Sequence, residues 1–350
     1  SFYLGHGFKI VVFIKGYYYG IKDAYVMGRI LGSKGCLFMA KCRRCGREAE
    51  YRVSYAKAWF CREHFIEYFE ERVVETIRKY RMIKPGDSVV VAVSGGKDSM
   101  SLLTVLVKQA RELGIREVIG LHLNLGIGGF SELVESVVRE YCERLGVKCH
   151  VIHLRDLLGL SISELASKAR RPPCSVCGLV KRYIFTVSTM TVNASVLVTG
   201  HHLDDVVKYA LKNIYVGDYR SLASLKPVSV EEGLPVKARP LISVGERDIE
   251  TYAKLSGIPY VEAKCPFKHE GDAEKAVRVF ISELEESNPG AKLTLLSSIS
   301  KLIHEYIEPR ESRGLTRCSI CGMPSSSDVC SFCRLTKKVY GKYMGADVAS

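Results

Sequence analysis

The chain predicts an α/β fold: a mostly parallel, doubly wound sheet flanked at both ends by small metal modules. Three observations carry this. From residue 88 to about 265, short apolar runs alternate with helical periods, the pattern of a parallel sheet covered on both faces. A glycine-rich turn closes the first of those runs. Cysteine pairs bracket the region on either side. The strands expected are 88–93, 117–123, 148–153, 195–200 and 258–262, and the helices 99–113, 131–145, 161–170, 178–190, 203–215 and 246–256. Before them, 67–82 reads as an amphipathic helix ending in the turn Lys84-Pro85-Gly86-Asp87. After them come two polar helices, 272–286 and 291–308, split by Asn288-Pro289-Gly290. The divisions expected are 1–38, an extension of no assigned role; 39–66, a metal module; 67–87, a linking helix; 88–310, the catalytic domain; and 311–350, a second metal module with a basic tail.

Ligands of such a sheet bind at the carboxyl ends of its strands. Three of those ends carry Ser94-Gly95-Gly96, His122 and Gly200-His201, so they are expected to share a crevice. Ser94-Gly95-Gly96-Lys97-Asp98-Ser99 lies between the apolar run 88–93 and a helix. Adjacent glycines let the backbone N–H groups turn inward, and the helix start adds positive potential, which together cradle phosphate. Lys97 supplies a point charge, Ser94 and Ser99 donate, and Asp98 suits a hard metal ion such as Mg2+ carried by a nucleotide. The spacing excludes a Walker A loop.

The 350 residues carry a net charge of +13, which favours an anionic partner such as RNA, DNA or a membrane surface. No apolar run is long enough to cross a bilayer and no signal peptide is evident, so a cytoplasmic protein is expected. With 51 Lys and Arg, one Gln and four Asn, the composition fits a hot-living source, a thermophile. Thirteen cysteines, mostly in Cys-x-x-Cys pairs within a long chain, read as metal ligands in a reducing compartment.

Cys42-x2-Cys45 with Cys61-x2-His64 makes one four-ligand set, and Cys318-x2-Cys321 with Cys330-x2-Cys333 another. Paired ligands on tight knuckles build a zinc tetrahedron, and a closed tetrahedron is structural, so two Zn2+ ions are expected. Arg43, Arg44, Arg47, Arg52 and Lys57 around the first, and Arg313, Arg317, Arg334, Lys337, Lys338 and Lys342 around the second, are either an RNA-facing surface or a solvated one. A third set has three members: Cys174 and Cys177 in Pro172-Pro173-Cys174-Ser175-Val176-Cys177-Gly178, and Cys265 after the last expected strand. Three thiolates are incomplete for structural zinc; they suit an iron–sulfur cluster with one open iron, or a redox pair with a persulfide carrier. Lys181 and Arg182 in the following helix lower a thiol pKa or hold an anion. Cys36, Cys142 and Cys149 read as small buried apolar residues.

Ser94–Ser99 is the full signature of the N-type ATP pyrophosphatases, and the order of all these motifs resembles one branch of them, the tRNA 2-thiouridine synthetases. The resemblance spans about residues 40–335 and includes Thr199-Gly200-His201-His202-Leu203-Asp204-Asp205. It departs from the family's common pattern at His202, where asparagine is frequent, and at Val206-Val207-Lys208. The resemblance implies that ATP adenylates the C2 oxygen of a tRNA uridine. Sulfide from a thiocarboxylated ubiquitin-like protein then replaces that oxygen through a 4Fe-4S cluster. By motif position Ser94, Gly95, Gly96, Lys97, Asp98 and Ser99 would bind pyrophosphate, and Ala92, His122 and Gly200 would line the nucleotide. Lys181 and Asp205 would sit in the catalytic pocket, Asp205 as base or magnesium ligand, and Cys174, Cys177 and Cys265 would hold the cluster. It also implies a homodimer. The forms around Cys174 and Cys265 favour uridine 54 over the wobble uridine 34, with anticodon-loop cytidine third. A non-catalytic zinc RNA-binding protein and an amidotransferase-type ligase are the readings from other classes.

Overall fold

The computed structural model describes residues 9–18 and 22–28 as backbone, and 40–268, 270–307 and 316–349 with side chains, that of Arg220 excepted. Cys36, Arg313 and the expected boundary at 310 lie outside the described residues. Residues 1–41 form a unit of their own, which holds an antiparallel hairpin of β1 (Lys9–Tyr18) and β2 (Lys22–Gly28).

The second unit, 42–350, is built on a six-stranded sheet ordered β7-β6-β5-β8-β10-β9. Its strands are β5 (Ser88–Ala92), β6 (Glu117–Asn124), β7 (Lys148–His153), β8 (Val196–Val198), β9 (Val228–Ser229) and β10 (Val236–Ala238). All pairings are parallel except β9 with β10. Every residue of β5 is buried, as expected of a central strand covered on both faces. The chain leaves β5 toward β6 on one side and returns later to β8 on the other. That reversal opens a crevice at the carboxyl end of β5, where the Ser94–Ser99 turn lies.

Helices follow the strands: α1 (Arg62–Lys79), α2 (Lys97–Lys108), α3 (Phe130–Arg144), α4 (Leu154–Leu158), α5 (Ile162–Ala169), α6 (Pro173–Thr191), α7 (Leu203–Tyr215), α8 (Tyr219–Leu222), α9 (Glu246–Leu255), α10 (Asp272–Ser287) and α11 (Ala291–Leu302). Among the described residues no helix is long and apolar enough to cross a membrane.

Two expectations are corrected. Residues 258–262 are not a strand: Pro259 has no N–H for a ladder, and Val261 N–H instead donates to Gly95 O at 2.9 Å. The place beside β8 belongs to the short β10. Helix α6 also starts five residues before the expected 178, with Pro173 at its first position, where a fixed φ and a missing N–H carry no penalty. Cys174 and Cys177 therefore lie on its first turns rather than ahead of it.

The first cysteine module is a hairpin of β3 (Tyr51–Val53) and β4 (Ala58–Phe60) leading into α1. The last pairs β11 (Thr316–Arg317) with β12 (Pro324–Ser325), then forms α12 (Ser331–Tyr340) and α13 (Gly345–Ala349). Its Phe332, Cys333 and Leu335 share one buried cluster with Leu165, Val176, Val180 and Tyr183 of α5 and α6.

Candidate active site

The Ser94–Ser99 turn is held by its own side chains. Ser94 N–H donates to Ser99 Oγ at 3.0 Å, and Ser99 Oγ donates to Gly96 O at 3.1 Å. Gly95 has φ +76°, and a Cβ there would lie 2.6 Å from Val134 Cγ1. Both conformation and space demand glycine. At Gly200, after β8, a Cβ would lie 3.0 Å from Ser99 N and 3.1 Å from Asp98 C. The end of β8 thus runs against the first turn of α2, whose leading N–H groups have no partner within the helix.

Lys97 Nζ lies 2.9 Å from Glu246 Oε1 and 3.4 Å from Asp98 Oδ1. Burial works against the Lys97 ammonium, but those two carboxylates hold its pKa above the usual lysine value. Asp98 Oδ1 is buried without a hydrogen-bond partner. Burial raises the Asp98 carboxyl above its usual range and the Asp205 charge adds to this, while His202 and Lys97 oppose. Asp98, Asp205, His202 and Lys97 are therefore electrostatic neighbours.

The two aspartates that open α7 differ. Asp204 Oδ2 accepts the Glu246 N–H at 2.8 Å, capping α9, and Oδ1 meets Lys292 Nζ. Asp205 takes only His202 Nε2 at 3.3 Å and Lys208 Nζ at 3.6 Å. His202 is buried, with Nδ1 making no hydrogen bond and lying 3.8 Å from Asp204 Oδ2.

His122, on β6, places Nδ1 2.8 Å from Val93 O. A carbonyl only accepts, so Nδ1 carries the proton and the buried, unpartnered Nε2 offers its lone pair. Burial lowers the His122 pKa, and the charges of Lys181 and Arg139 add to this against Val93 O and Glu135. Ala92, at the end of β5, is buried beside this strand.

Lys181 acts electrostatically on both His122 and Cys177. Burial pushes the Cys177 thiol up, Cys265 and Cys174 push it further, and Lys181 pulls it back through its charge and a hydrogen bond. Cys174 Sγ donates to Phe267 O at 3.1 Å, tying α6 to the segment that carries Cys265. Cys265 thus comes within electrostatic range of Cys177 although no strand precedes it.

Among the described residues, two groups bring their ligand atoms within 4.8 Å of one another: Cys42, Cys45, Cys61 and His64, and Cys318, Cys321, Cys330 and Cys333. The three central thiols form no such group. The sulfurs of Cys45 and Cys61 lie 3.9 Å apart and those of Cys321 and Cys330 3.7 Å, close to the ~3.8 Å edge that a Zn–S length of ~2.3 Å gives a tetrahedron. Burial opposes thiolate formation at Cys42 and Cys318, but backbone N–H groups around each outweigh it and bring both down to about 6. Of the cations expected to face RNA at the first module, Arg44 pairs with Glu67 and Glu71, and Arg47 with Glu63. Cys142 is buried as expected, but Cys149 is only half-buried and hydrogen-bonds it.

Sequence reasoning missed Glu246, which engages Lys97, and Glu135. Glu135 accepts from Asn124 Nδ2 at 2.7 Å, and Asn124 Oδ1 in turn accepts the Gly126 N–H at 2.9 Å, fixing the loop after His122. Asn124, two residues beyond His122 on the same strand face, was the available signal.

A family model described as a PP-loop domain matches residues 66–267, and one described as the N-terminal LIM domain of the 2-thiouridine synthetase TtuA matches 41–66. The chain is 36% identical over 311 residues to a tRNA-5-methyluridine(54) 2-sulfurtransferase of Pyrococcus horikoshii, covering 88% of this chain and 98% of the relative. The Thermotoga maritima protein of the same name is 37% identical over 303 residues, covering 85% and 97%. Among solved structures, the U34-tRNA thiolase NcsA from Methanococcus maripaludis with its [4Fe-4S] cluster superposes with a TM-score of 0.76 at 26% identity, covering 87% of this chain and 97% of that one.

Proposed function

The chain belongs to the PP-loop tRNA 2-sulfurtransferases, and we propose from this that it thiolates C2 of uridine 54 in tRNA at the expense of ATP. One observation carries the reading: Cys177 has Cys174, Cys265 and Lys181 as its electrostatic neighbours, and the same Lys181 acts on His122 at the end of the strand beside the Ser94–Ser99 turn. The thiols and the phosphate cradle therefore belong to one crevice.

A carbonyl oxygen is a poor leaving group. In this scheme the uridine O2 attacks the α-phosphorus of ATP, the bond to the β-phosphate oxygen breaks and pyrophosphate departs. The N–H groups at the start of α2, with Lys97, hold the charge that grows on pyrophosphate. Asp98 Oδ1, buried and met only by the Lys97 ammonium at 3.4 Å, fits the magnesium ion that rides on ATP. Ala92, His122 and Gly200 line the nucleotide. Asp205, less engaged than Asp204, takes the N3 proton as O2 is adenylated. Hydrosulfide, from a thiocarboxylated ubiquitin-like donor, then adds to C2, and AMP leaves with the former carbonyl oxygen.

Cys174, Cys177 and Cys265 fit a 4Fe-4S cluster. Cys174 and Cys265 both act electrostatically on Cys177, and a cation stands beside it, as suits a cluster held by three thiolates. When bound, that cluster supplies an open iron site for sulfide. Lys181 offsets the negative charge gathered there. The two four-ligand groups fit structural zinc, each fixing a module too small for a core of its own.

Uridine 54 is favoured because the sulfurtransferases of that name match at 36% and 37% identity, against 26% for the U34 thiolase. The test is nucleoside mass spectrometry of T-loop and anticodon-loop fragments of tRNA incubated with the enzyme, ATP and sulfide. Sulfur in the T-loop fragment is expected. Sulfur at the wobble position would replace the assignment, and none in either would overturn it.

A further inference from the structure

The last cysteine module is joined to the helix that carries the central thiols. Tyr183 lies two residues after Lys181 and six after Cys177 on α6. Its ring stacks on Phe332 of α12, with centroids 3.9 Å apart and planes 3° from parallel. Its O–H donates to Gly345 O at 2.8 Å. Gly345 begins α13 and has no room for a side chain: a Cβ there would collide with Cys333 Sγ and lie 3.1 Å from Cys321 Cβ. One side chain of α6 therefore touches the ribbon's core aromatic and the backbone wedged on its sulfurs.

These contacts are specific in a way that ordinary packing is not. Phe332 and Cys333 are adjacent, so the residue that stacks on Tyr183 is fixed by a residue of the four-ligand group. Closing that group sets the position of α12 and Gly345, and with them the axial position and rotation of α6. Because Cβ directions on a helix are rigidly related, the same rotation sets where Cys174, Cys177 and Lys181 point. Outer contacts of this kind orient ligands at metal sites, and their loss commonly costs ten- to a hundredfold in affinity.

We infer that Tyr183 is a positioning residue, the strut through which the C-terminal four-cysteine module orients the three-cysteine site, so that an intact ribbon is needed for that site to retain its cluster. The inference rests on the reading that Cys174, Cys177 and Cys265 hold a 4Fe-4S cluster.

The test uses the full-length protein, reconstituted anaerobically with iron and sulfide. Loss of its visible absorption is followed after adding a chelator, with zinc content and the ATP-induced rise in melting temperature measured alongside. Tyr183→Phe, which keeps the stack, should lose cluster within about threefold of the wild-type rate. Tyr183→Leu should lose it at least tenfold faster while its response to ATP is unchanged. Gly345→Ala approaches α6 from the ribbon side without altering it, and should lose both ribbon zinc and cluster faster. If Tyr183→Leu does not fold, Gly345→Ala and Phe332→Leu decide. Variants that respond to ATP yet keep the cluster at the wild-type rate would overturn the strut alone. A wild-type protein that takes up no cluster would overturn the sulfur-transfer reading, and the inference with it.

Discussion

Lys97 Nζ rests 2.9 Å from Glu246 Oε1, 149 residues away in sequence, so the cation expected to meet pyrophosphate is held by a carboxylate of α9. An anion entering the Ser94–Ser99 turn must compete with that carboxylate. Half of the Glu246 side chain is exposed, so the pair is worth no more than about 1 kcal/mol. Glu246→Gln should therefore tighten ATP binding by up to about fivefold, measured by calorimetry. Weaker binding in the variant would mean that Glu246 serves the nucleotide rather than competing with it.

The close approach of Gly200 to α2 gives a second prediction. The atoms that a Cβ would meet are the Ser99 amide nitrogen and the Asp98 carbonyl carbon, which cannot rotate away. Gly200→Ala should cost about 1–3 kcal/mol of stability and abolish ATP binding. Gly128→Ala, where the added Cβ meets nothing within 4 Å, should leave both nearly unchanged. Thermal melts with and without ATP compare them, and a Gly200→Ala protein that binds ATP normally would show that the strand end does not shape the cradle.

Much of this was legible because each local rule had a strong signature. The fully buried β5 announced itself as an unbroken apolar run, and the two four-ligand groups by their spacing. Cys265 was expected near Cys177 for an incorrect reason, since no strand precedes it; its segment is tied to α6 by the Cys174 thiol and the Phe267 carbonyl. Strands β9 and β10 were missed because two- and three-residue strands have too few positions to show a period. Glu246, Lys292 and Tyr183 were not legible at all. Their partners lie 88 to 162 residues away, and nothing local distinguishes them from solvated or core residues.

For the three central cysteines, Cys174→Ala, Cys177→Ala and Cys265→Ala should each abolish thiolation and the visible absorption of anaerobically prepared protein. Their tRNA affinity should stay within about twofold of wild type, since removing one thiol takes away no phosphate contact. Any one of them that retains full turnover is not a ligand.

Glu135 gives the acid dependence. Burial opposes its ionisation, but the Asn124 hydrogen bond and Arg139 bring its pKa from 4.5 to about 2. Because the folded value is the lower one, the stability it contributes is complete above about 4.5 and is lost as the pH falls toward 2. Glu135→Gln should be less stable than wild type at pH 7, and the gap between the two should close between those limits. Chemical denaturation at pH 7, 4 and 3 reads the gap; one that stays constant would mean that Asn124 and His153 gain nothing from the charge.

Asp204 and Asp205, adjacent at the start of α7, should separate in their effects. Asp204 caps α9 through the Glu246 N–H and pairs with Lys292, and burial opposes its charge while Lys292 and that N–H hold its pKa below the usual range. Asp204→Asn leaves the Lys292 ammonium, itself largely buried, without its counter-charge. It should cost about 1–3 kcal/mol, seen as a lower melting temperature, with thiolation by the remaining folded protein close to normal. Asp205 has longer contacts to His202 and Lys208 and no backbone partner, so Asp205→Asn should melt near the wild-type temperature. If Asp205 accepts the proton lost on adenylation, turnover should fall by a factor of about 10²–10⁴. Single-turnover thiolation set against melting temperature places the two variants on different axes. Finding both losses in one variant, or the two exchanged, would mean that the carboxylate facing the substrate has been misidentified.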